Sequence, residues 1–149
     1  MKIEEEIKTT KFRSKIHKAS LNILFTANWL NNKFNDSLKK YGILQEQFNV
    51  LRILRGSHPK SLCVRDIASR MIHRNSNVPR IVNRLERKKL VTRSNSESDR
   101  RETMISLTKE GLELLSKIDE DESLKEENII SLTDTEADIL NTILDNMRK

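Results

Sequence analysis

The N-terminal part of the chain carries apolar side chains every three or four positions without a break. The stripe consists of Phe12, Ile16, Ala19, Ile23, Ala27, Leu30, Phe34, Leu38 and Tyr41. This spacing puts all of them on one face of an α-helix, and Gly42 follows at a position suited to a left-handed C-terminal residue. A helix of about thirty residues would extend for about 45 Å, which is more than the width of a small domain. We therefore expect part of its apolar face to pack against a second chain.

The middle of the chain predicts three more helices. Residues 43–54 and 64–71 each have an apolar face, and a break that contains glycine and proline separates them. The stretch 76–91 contains the fourth helix. Its apolar stripe consists of Val78, Ile81, Val82 and Leu85. Pro79 is tolerated only in the first turn of a helix, where its missing N–H has no intrahelical partner, so Ser76 is the predicted N-cap.

A short β-hairpin is predicted after the fourth helix. Residues 91–93 and 103–107 have the composition of strands, and the segment 94–102 between them contains five charged residues and no apolar one. The order helix, helix, helix, strand, charged loop, strand is that of a winged helix-turn-helix. The predicted fold class is therefore mainly α with a small β-hairpin.

Two further helices are predicted in the C-terminal part of the chain. Thr108 is suited to cap the first, and residues 133–136 form a Thr-Asp-Thr-Glu capping box at the start of the second. We expect a winged helix-turn-helix domain at residues 43–107, with dimerisation helices in residues 1–42 and 108–149. The candidate dimer contacts are Phe12, Ile16, Ile23, Leu140, Leu144 and Met147.

The formal net charge of +6 is distributed unevenly along the chain. Residues 1–42 contain nine Lys or Arg against four Asp or Glu, and residues 43–107 contain fourteen against six. Residues 108–149 reverse the balance, with five basic residues against twelve acidic ones. A basic middle is typical of a surface that faces a polyanion, although a solvated charged surface explains the composition equally well.

The fourth helix carries side chains with the chemistry needed to recognise DNA. Its outward-facing polar residues are Ser76, Asn77, Arg80, Asn83, Arg84, Arg87 and Lys88. Arginine can donate two hydrogen bonds to O6 and N7 of guanine, and asparagine can pair bidentately with adenine. We predict base contacts for Ser76, Asn77 and Arg80. Phosphate contacts are predicted for Arg84, Arg87 and Lys88. The alternative is a merely solvated helix face, but this basic run contains only one acid, Glu86.

The predicted hairpin adds a second basic element. Its candidate DNA-binding residues are Arg93, Asp99, Arg100 and Arg101. A flexible cationic loop can follow the phosphate backbone and insert an arginine into the minor groove. Asp99 would repel phosphate on its own, so we expect it to orient one of the neighbouring arginines through an ion pair.

Several segments taken together resemble the multiple-antibiotic-resistance regulator (MarR) family. The resemblance rests on residues 44–51, 64–68, 76–91, 99–101 and 105–111. The pattern R-I-V-x-R-L-E-x-x-x-L-V, followed by D-R-R and L-T-x-x-G, is specific as a set. The resemblance implies a homodimeric transcriptional regulator, usually a repressor, that binds a pseudo-palindromic operator in double-stranded DNA.

The resemblance also carries implications for individual sites. By matching position, Ser76, Asn77 and Arg80 correspond to base-facing residues. Arg100 and Arg101 belong to the wing, which is the predicted hairpin of residues 91–107. A small, often phenolic or other aromatic, effector is implied between the dimer helices and the winged domain. Candidate lining residues, which could equally be core or dimer contacts, are Phe12, Ile16, Trp29, Phe34 and Phe48.

The remaining candidate sites are weaker. Cys63 is the only cysteine, which excludes an internal disulfide, and it is either a small buried residue or an oxidant sensor. His58, Cys63 and His73 lack the compact spacing of a zinc site, so neither a metal nor a cofactor is predicted. The sequence has no glycine-rich phosphate loop and no nucleophile with an evident partner, so we do not expect an enzyme.

Location and an alternative function complete the expectations. No stretch has the length of a membrane helix, and the first residues lack the apolar core of a signal peptide, so a soluble cytoplasmic protein is predicted. The alternative to DNA binding is a winged-helix protein-interaction module whose basic face binds an acidic partner.

Overall fold

Eight α-helices and three short strands make up the chain in the computed structural model, which describes residues 1–149. The helices are α1 (Ile3–Glu6), α2 (Lys15–Leu38), α3 (Gln45–Ser57), α4 (Val64–Arg70), α5 (Val78–Arg87), α6 (Lys109–Asp119), α7 (Glu126–Ile129) and α8 (Asp134–Met147). The strands are β1 (Leu62–Cys63), β2 (Val91–Asn95) and β3 (Thr103–Leu107). The predicted fold class, mainly α with a small β-hairpin, is confirmed, and the hairpin is part of a three-stranded sheet.

The long N-terminal helix is shorter than the apolar stripe predicts. It begins after Ser14, whose hydroxyl accepts a hydrogen bond from the His17 N–H at 3.0 Å, so Phe12 lies outside it. At its other end the chain continues as a single 3₁₀ turn and reaches Gly42, which has a φ of +70°. The predicted left-handed closure at Gly42 is therefore confirmed.

The first residues form a short helix that the sequence does not predict. Ile3 of α1 is buried, and Glu4 forms a salt bridge with Lys18 of α2. One turn is too short to show a periodic apolar pattern, which explains why only the folded chain reveals it.

The predicted hairpin is part of a three-stranded antiparallel sheet with the order β1-β3-β2. β2 and β3 pair in the register Val91 to Leu107, and β1 pairs with the other edge of β3 through Leu62 and Ile105. A two-residue strand carries no alternation, so the sequence pattern does not predict β1. It ties the start of α4 to the base of the wing.

The winged domain is built around a core to which α5 contributes all four residues of its predicted apolar stripe. Val78, Ile81, Val82 and Leu85 are at most 6% exposed. They pack in one hydrophobic cluster with residues of α3, α4, the sheet and α6. This packing fixes which face of α5 is left for solvent or a partner.

Gly111 sits in the first turn of α6, where that helix meets the end of the α5–β2 connection. A Cβ atom added at Gly111 would lie 2.3 Å from the Leu90 carbonyl oxygen and 3.1 Å from the Leu107 side chain. The Leu90 oxygen is held in place by a hydrogen bond from the Thr108 N–H. The position therefore requires glycine for close approach of two backbones.

Replacing Gly111 with alanine is expected to lower the free energy of unfolding by about 1–3 kcal/mol, because the added methyl group overpacks a backbone contact. Urea denaturation followed by circular dichroism measures the change. The matched control is Gly56→Ala in α3, where no atom lies within 4 Å of the new Cβ. There alanine is expected to stabilise the helix by up to about 1 kcal/mol. Equal effects of the two substitutions would contradict the packing argument.

The C-terminal helices begin where their caps predict. The Thr108 hydroxyl accepts a hydrogen bond from the Gly111 N–H, and Thr133 and Glu136 form the reciprocal capping box of α8. The apolar face of α8 is left largely uncovered in the single chain: Leu140 is 42%, Ile143 52% and Met147 54% exposed. None of the helices combines the length and the apolar character that crossing a bilayer requires.

A cluster of polar contacts fastens the end of α2 to the segment after α6. The Asp121 carboxylate accepts a hydrogen bond from the Tyr41 hydroxyl at 2.6 Å and lies 2.5 Å from the Lys40 ammonium group. It also accepts hydrogen bonds from the Ser123 N–H and hydroxyl. These contacts hold the pKa of the Asp121 carboxyl well below its usual range, and the contact with Lys40 contributes most to this shift.

Replacing Asp121 with asparagine is expected to lower the Tm at neutral pH. Because the pKa is depressed in the folded state, the carboxylate contributes stability above its ordinary pKa of about 4, and this contribution declines as the pH falls further. The Tm gap between wild type and variant should therefore narrow below about pH 4. Asp138→Asn, at an exposed carboxylate without a salt bridge, is the control. A gap that stays constant from pH 7 to pH 3 would contradict this role of Asp121.

Candidate nucleic-acid interface

The start of α5 differs from the prediction in one residue. The N-cap is Asn77, not Ser76: the Asn77 Oδ1 atom accepts a hydrogen bond from the Arg80 N–H at 3.2 Å. The Ser76 hydroxyl instead donates to the Glu46 carboxylate of α3 at 3.1 Å. Pro79 stays in the first turn, as its chemistry requires. The prediction of Ser76 was wrong because a nearby carboxylate competes for its hydroxyl.

The face of α5 opposite the core is exposed and positively charged. Arg80, Arg84 and Arg87 all project into solvent, and none of the three guanidinium groups forms a salt bridge. Because a solvated helix face would normally be interleaved with acids, three unpaired arginines on successive turns indicate a surface that is available to an external anion.

Arg93 connects this face to the wing. Its guanidinium group donates a hydrogen bond to the Asn83 Oδ1 atom and lies 3.8 Å from the Glu86 carboxylate. Arg93 belongs to β2, whereas Asn83 and Glu86 belong to α5. The contact therefore fixes the strand against the helix and offsets the only acidic charge on the exposed side of α5.

Lys88, which follows the last residue of α5, is also held within the protein. Its ammonium group donates to the Gly42 carbonyl oxygen at the end of the long helix α2. The contact joins the C-terminal end of α5 to the turn that closes α2. A phosphate contact by Lys88 would have to share its ammonium group with this carbonyl.

The loop between β2 and β3 exposes two arginines. Arg100 and Arg101 are exposed and neither forms a salt bridge. The predicted ion pair of Asp99 with one of them is wrong: the Asp99 carboxylate accepts a hydrogen bond from the Arg101 backbone N–H at 2.9 Å. Asp99 therefore shapes the tip of the loop through the backbone, and both guanidinium groups remain free.

Cys63 lies in β1, opposite Met104 of β3, and the residue is 5% exposed. Burial raises the pKa of the Cys63 thiol above its ordinary value. Oxidation proceeds through the thiolate and needs access to solvent. Both properties favour the interpretation of Cys63 as a small buried residue over that of an oxidant sensor.

A cleft of about 510 Å³ opens between α2, α3 and the α6–α7 segment. Of the aromatic and aliphatic residues proposed from the sequence, Phe34 and Phe48 line it, whereas Phe12, Ile16 and Trp29 do not. Arg52 stands over the Phe48 ring, 5.6 Å from its centroid. The Gln45 Oε1 atom, in a residue that lines the cleft, is buried without a hydrogen-bond partner. The cleft thus combines apolar walls with an unpaired acceptor and a cation.

No three His, Cys, Asp or Glu side chains come close enough together to hold a metal ion. His58 and His73 are exposed, and the His17 ring packs edge-on against Phe12 with their centroids 6.3 Å apart.

Comparison with known proteins supports the fold described above. Residues 43–103 match the model of the MarR family. The HTH-type transcriptional regulator MhqR of Bacillus subtilis (strain 168) is 28% identical over 109 residues, which span 72% of this chain and 72% of that protein.

Two solved structures extend the likeness beyond the winged domain. S. aureus MepR, in a complex with DNA, is 26% identical with a TM-score of 0.72, covering 86% of this chain and 94% of that chain. Bordetella bronchiseptica BpsR, whose DNA binding is regulated by 6-hydroxynicotinic acid, is 20% identical with a TM-score of 0.75, covering 89% and 99%, and shares the fold.

The residues matched by the family model are those that build the structure from the turn before α3 to the start of β3. The likeness to MepR continues through the flanking helices on both sides, since it covers most of each chain. Sequence, fold and relatives therefore agree: residues 43–103 match the MarR family model, and the chain as a whole is similar to MhqR and MepR.

Proposed function

We propose that the protein is a sequence-specific, double-stranded DNA-binding transcriptional regulator. The observation that carries this proposal is the exposed face of α5, which presents three unpaired arginines while its opposite face is buried in the core. The arginine-bearing loop Ser96–Glu102 extends from the adjacent sheet. A helix of this kind fits the major groove, and a basic loop fits the neighbouring minor groove. The relative MepR has been solved with DNA.

The assignment of individual residues is part of this proposal. Arg80 and the amide of Asn77 are placed to meet base edges, because they lie at the start of the helix that enters the groove. Four further guanidinium groups contact phosphates or enter the minor groove in this proposal. They belong to Arg84, Arg87, Arg100 and Arg101. The other candidate residues support the interface through contacts within the protein. They are Ser76, Asn83, Lys88, Arg93 and Asp99.

We further propose that the active form is a homodimer. Ile16 and Leu24 of α2 and the apolar face of α8 are exposed in the single chain, and burying them against a second copy would remove this apolar surface from water. Residues 1–42 and 108–149 would then form the dimerisation layer and residues 43–107 the DNA-binding domain. Two copies of α5 about 34 Å apart would recognise an inverted repeat.

The cleft beside α2 is the proposed site for a small aromatic effector that modulates DNA binding, as the regulated DNA binding of the relative BpsR suggests. Phe34 and Phe48 supply stacking surfaces, and Gln45 and Arg52 supply polar partners. Titrating a small set of hydroxylated aromatic acids, beginning with 6-hydroxynicotinic acid, into a protein–DNA complex tests this site. Gln45→Ala is the matched variant, and we expect it to weaken the response to the compound without weakening DNA binding.

A gel shift on the DNA upstream of the protein's own gene tests the main proposal. We expect a specific complex whose log affinity falls with log salt concentration by about 0.9 per phosphate contacted. Binding to an acidic protein or to polyglutamate, with no preference among DNA sequences, would favour the protein-interaction alternative instead. The relatives are transcriptional regulators, so we propose no catalytic activity. We also propose a cytoplasmic location, because a regulator of this kind must reach the DNA that it controls.

A further inference from the structure

Both asparagines of the α5 region use their carbonyl oxygens within the protein. The Asn77 Oδ1 atom accepts from the Arg80 N–H, and the Asn83 Oδ1 atom accepts from the Arg93 guanidinium group. Each partner is a pure donor, so each amide must present its oxygen inward. Its NH₂ group is the part that remains for a ligand.

This orientation conflicts with the adenine contact that asparagine makes in a major groove. That contact requires the side-chain oxygen to accept from adenine N6 while the nitrogen donates to N7. The oxygen keeps a second lone pair, but its bond to Arg80 or Arg93 turns it toward the protein, so it cannot face a base edge together with the NH₂ group. The bidentate adenine pairing that the sequence suggested for Asn77 is therefore not open to it in this orientation, nor is it open to Asn83.

The other exposed polar residues of α5 lead to the same conclusion. Arg80, Arg84 and Arg87 have no acceptor atom. Apart from the amide oxygens of Asn77 and Asn83, Glu86 carries the only side-chain acceptor on the exposed side of the helix, and Arg93 offsets its charge from 3.8 Å. The Ser76 hydroxyl precedes the helix, is half-buried and donates its hydrogen to Glu46, which turns it toward α3.

On the basis of the proposed function, we propose that α5 reads its half-site through hydrogen-bond donors alone. It contacts acceptors on the major-groove edges, which are guanine O6 and N7, thymine O4 and adenine N7. It makes no hydrogen bond to the exocyclic amino group of adenine or of cytosine. The bases that face α5 are therefore selected by the acceptors they present.

Single-atom changes in the DNA test this rule. Duplexes that bind the full-length protein are first selected from a random-sequence pool, and each base of the half-site is then replaced in turn. Replacing guanine with 7-deazaguanine removes the N7 acceptor and is expected to weaken binding at least about fivefold at one or more positions. Replacing adenine with purine, which lacks the amino group and keeps N7, is expected to change affinity less than twofold. The same replacements outside the half-sites are the control for duplex stability.

Isosteric variants of the protein test the same rule by changing the side chains of α5 instead of the DNA. Aspartate at position 77 can still cap α5, and aspartate at position 83 can still pair with Arg93, so both folds should be kept. In Asn77→Asp and Asn83→Asp the outward NH₂ group becomes an acceptor oxygen. We expect at least one of the two variants to bind the wild-type half-site at least about fivefold more weakly than the wild-type protein does. The same variant should select a different base at one position. Asn75→Asp, an exposed residue before the helix, controls for the added negative charge.

The outcomes separate the inference from the function on which it rests. If no sequence is enriched from the pool, the proposed sequence-specific function fails, and the donor rule fails with it. If a sequence is enriched but purine in place of adenine costs fivefold or more at a half-site position, only the donor rule fails. The same holds if both aspartate variants select the wild-type half-site as strongly as Asn75→Asp does.

Discussion

Replacing Leu140 with glutamate is expected to convert the proposed dimer into a monomer and to weaken operator binding by about 100-fold or more. Leu140 lies on the uncovered apolar face of α8 and is 42% exposed, so the single chain tolerates a charge there. In a dimer the same carboxylate would be buried without a partner, which costs far more than the contact it replaces.

The large effect on DNA binding follows from the loss of linkage between two half-sites. In a dimer, binding of one α5 helix brings the second to its half-site at high effective concentration, and this linkage typically contributes about 10²–10⁴ in affinity. A monomer retains only the contacts of one half-site. Size-exclusion chromatography with light scattering measures the oligomeric state, and a gel shift measures the affinity.

The matched control is Thr142→Glu, which places the same charge on the opposite, polar side of α8. It should remain dimeric and bind operator DNA like the wild type. The dimer model would be wrong if Leu140→Glu stayed dimeric, or if a monomeric form bound the operator as tightly as the wild type.

Replacing Arg80 with alanine is expected to cost about 1–3 kcal/mol of binding free energy on operator DNA, or about 5- to 150-fold in affinity. Arg80 is exposed in the first turn of α5, its guanidinium group is unpaired, and its backbone N–H is already capped by Asn77. Because the substitution removes only the outward side chain, the helix should be unaffected. Discrimination between operator and unrelated DNA should fall along with affinity, since a base contact is lost.

Arg101→Ala in the wing provides the contrast to Arg80→Ala. A cation that meets only backbone or groove should weaken binding to all sequences alike and reduce the salt slope by about 0.9. Lys117→Ala, which removes an exposed charge from α6, controls for net charge. If Arg80→Ala lowered affinity for operator and unrelated DNA equally, Arg80 would be a phosphate contact and not a base contact.

The sequence was most informative where a local pattern decides the structure. The α5 stripe predicted which four residues are buried, and therefore that Arg80, Arg84 and Arg87 face outward. Caps were also predictable, as the contacts of Thr108 and Thr133 show. Such features depend on residues within one or two turns of each other, whose spacing is visible in the chain.

The candidate site was only partly predictable, because its polar side chains had several possible partners. Ser76 bonds to Glu46, thirty positions away, and Lys88 bonds to Gly42, forty-six positions away. Neither pair belongs to one helix or one hairpin, so no spacing rule could have found it. The Asn83–Arg93 pair spans ten positions, and it forms only because β2 returns beside α5.

The sequence by itself determined the helical class, the winged order of elements, the buried face of α5 and the unequal distribution of charge. Periodicity settles these because it determines which side of an element must leave water. Tertiary structure alone decided the additional strand β1, the cap at Asn77, the orientation of the Asn77 and Asn83 amides and the shape of the cleft. Those features depend on which distant groups packing brings within hydrogen-bonding distance, and hydrogen bonds are effective only over about 3 Å.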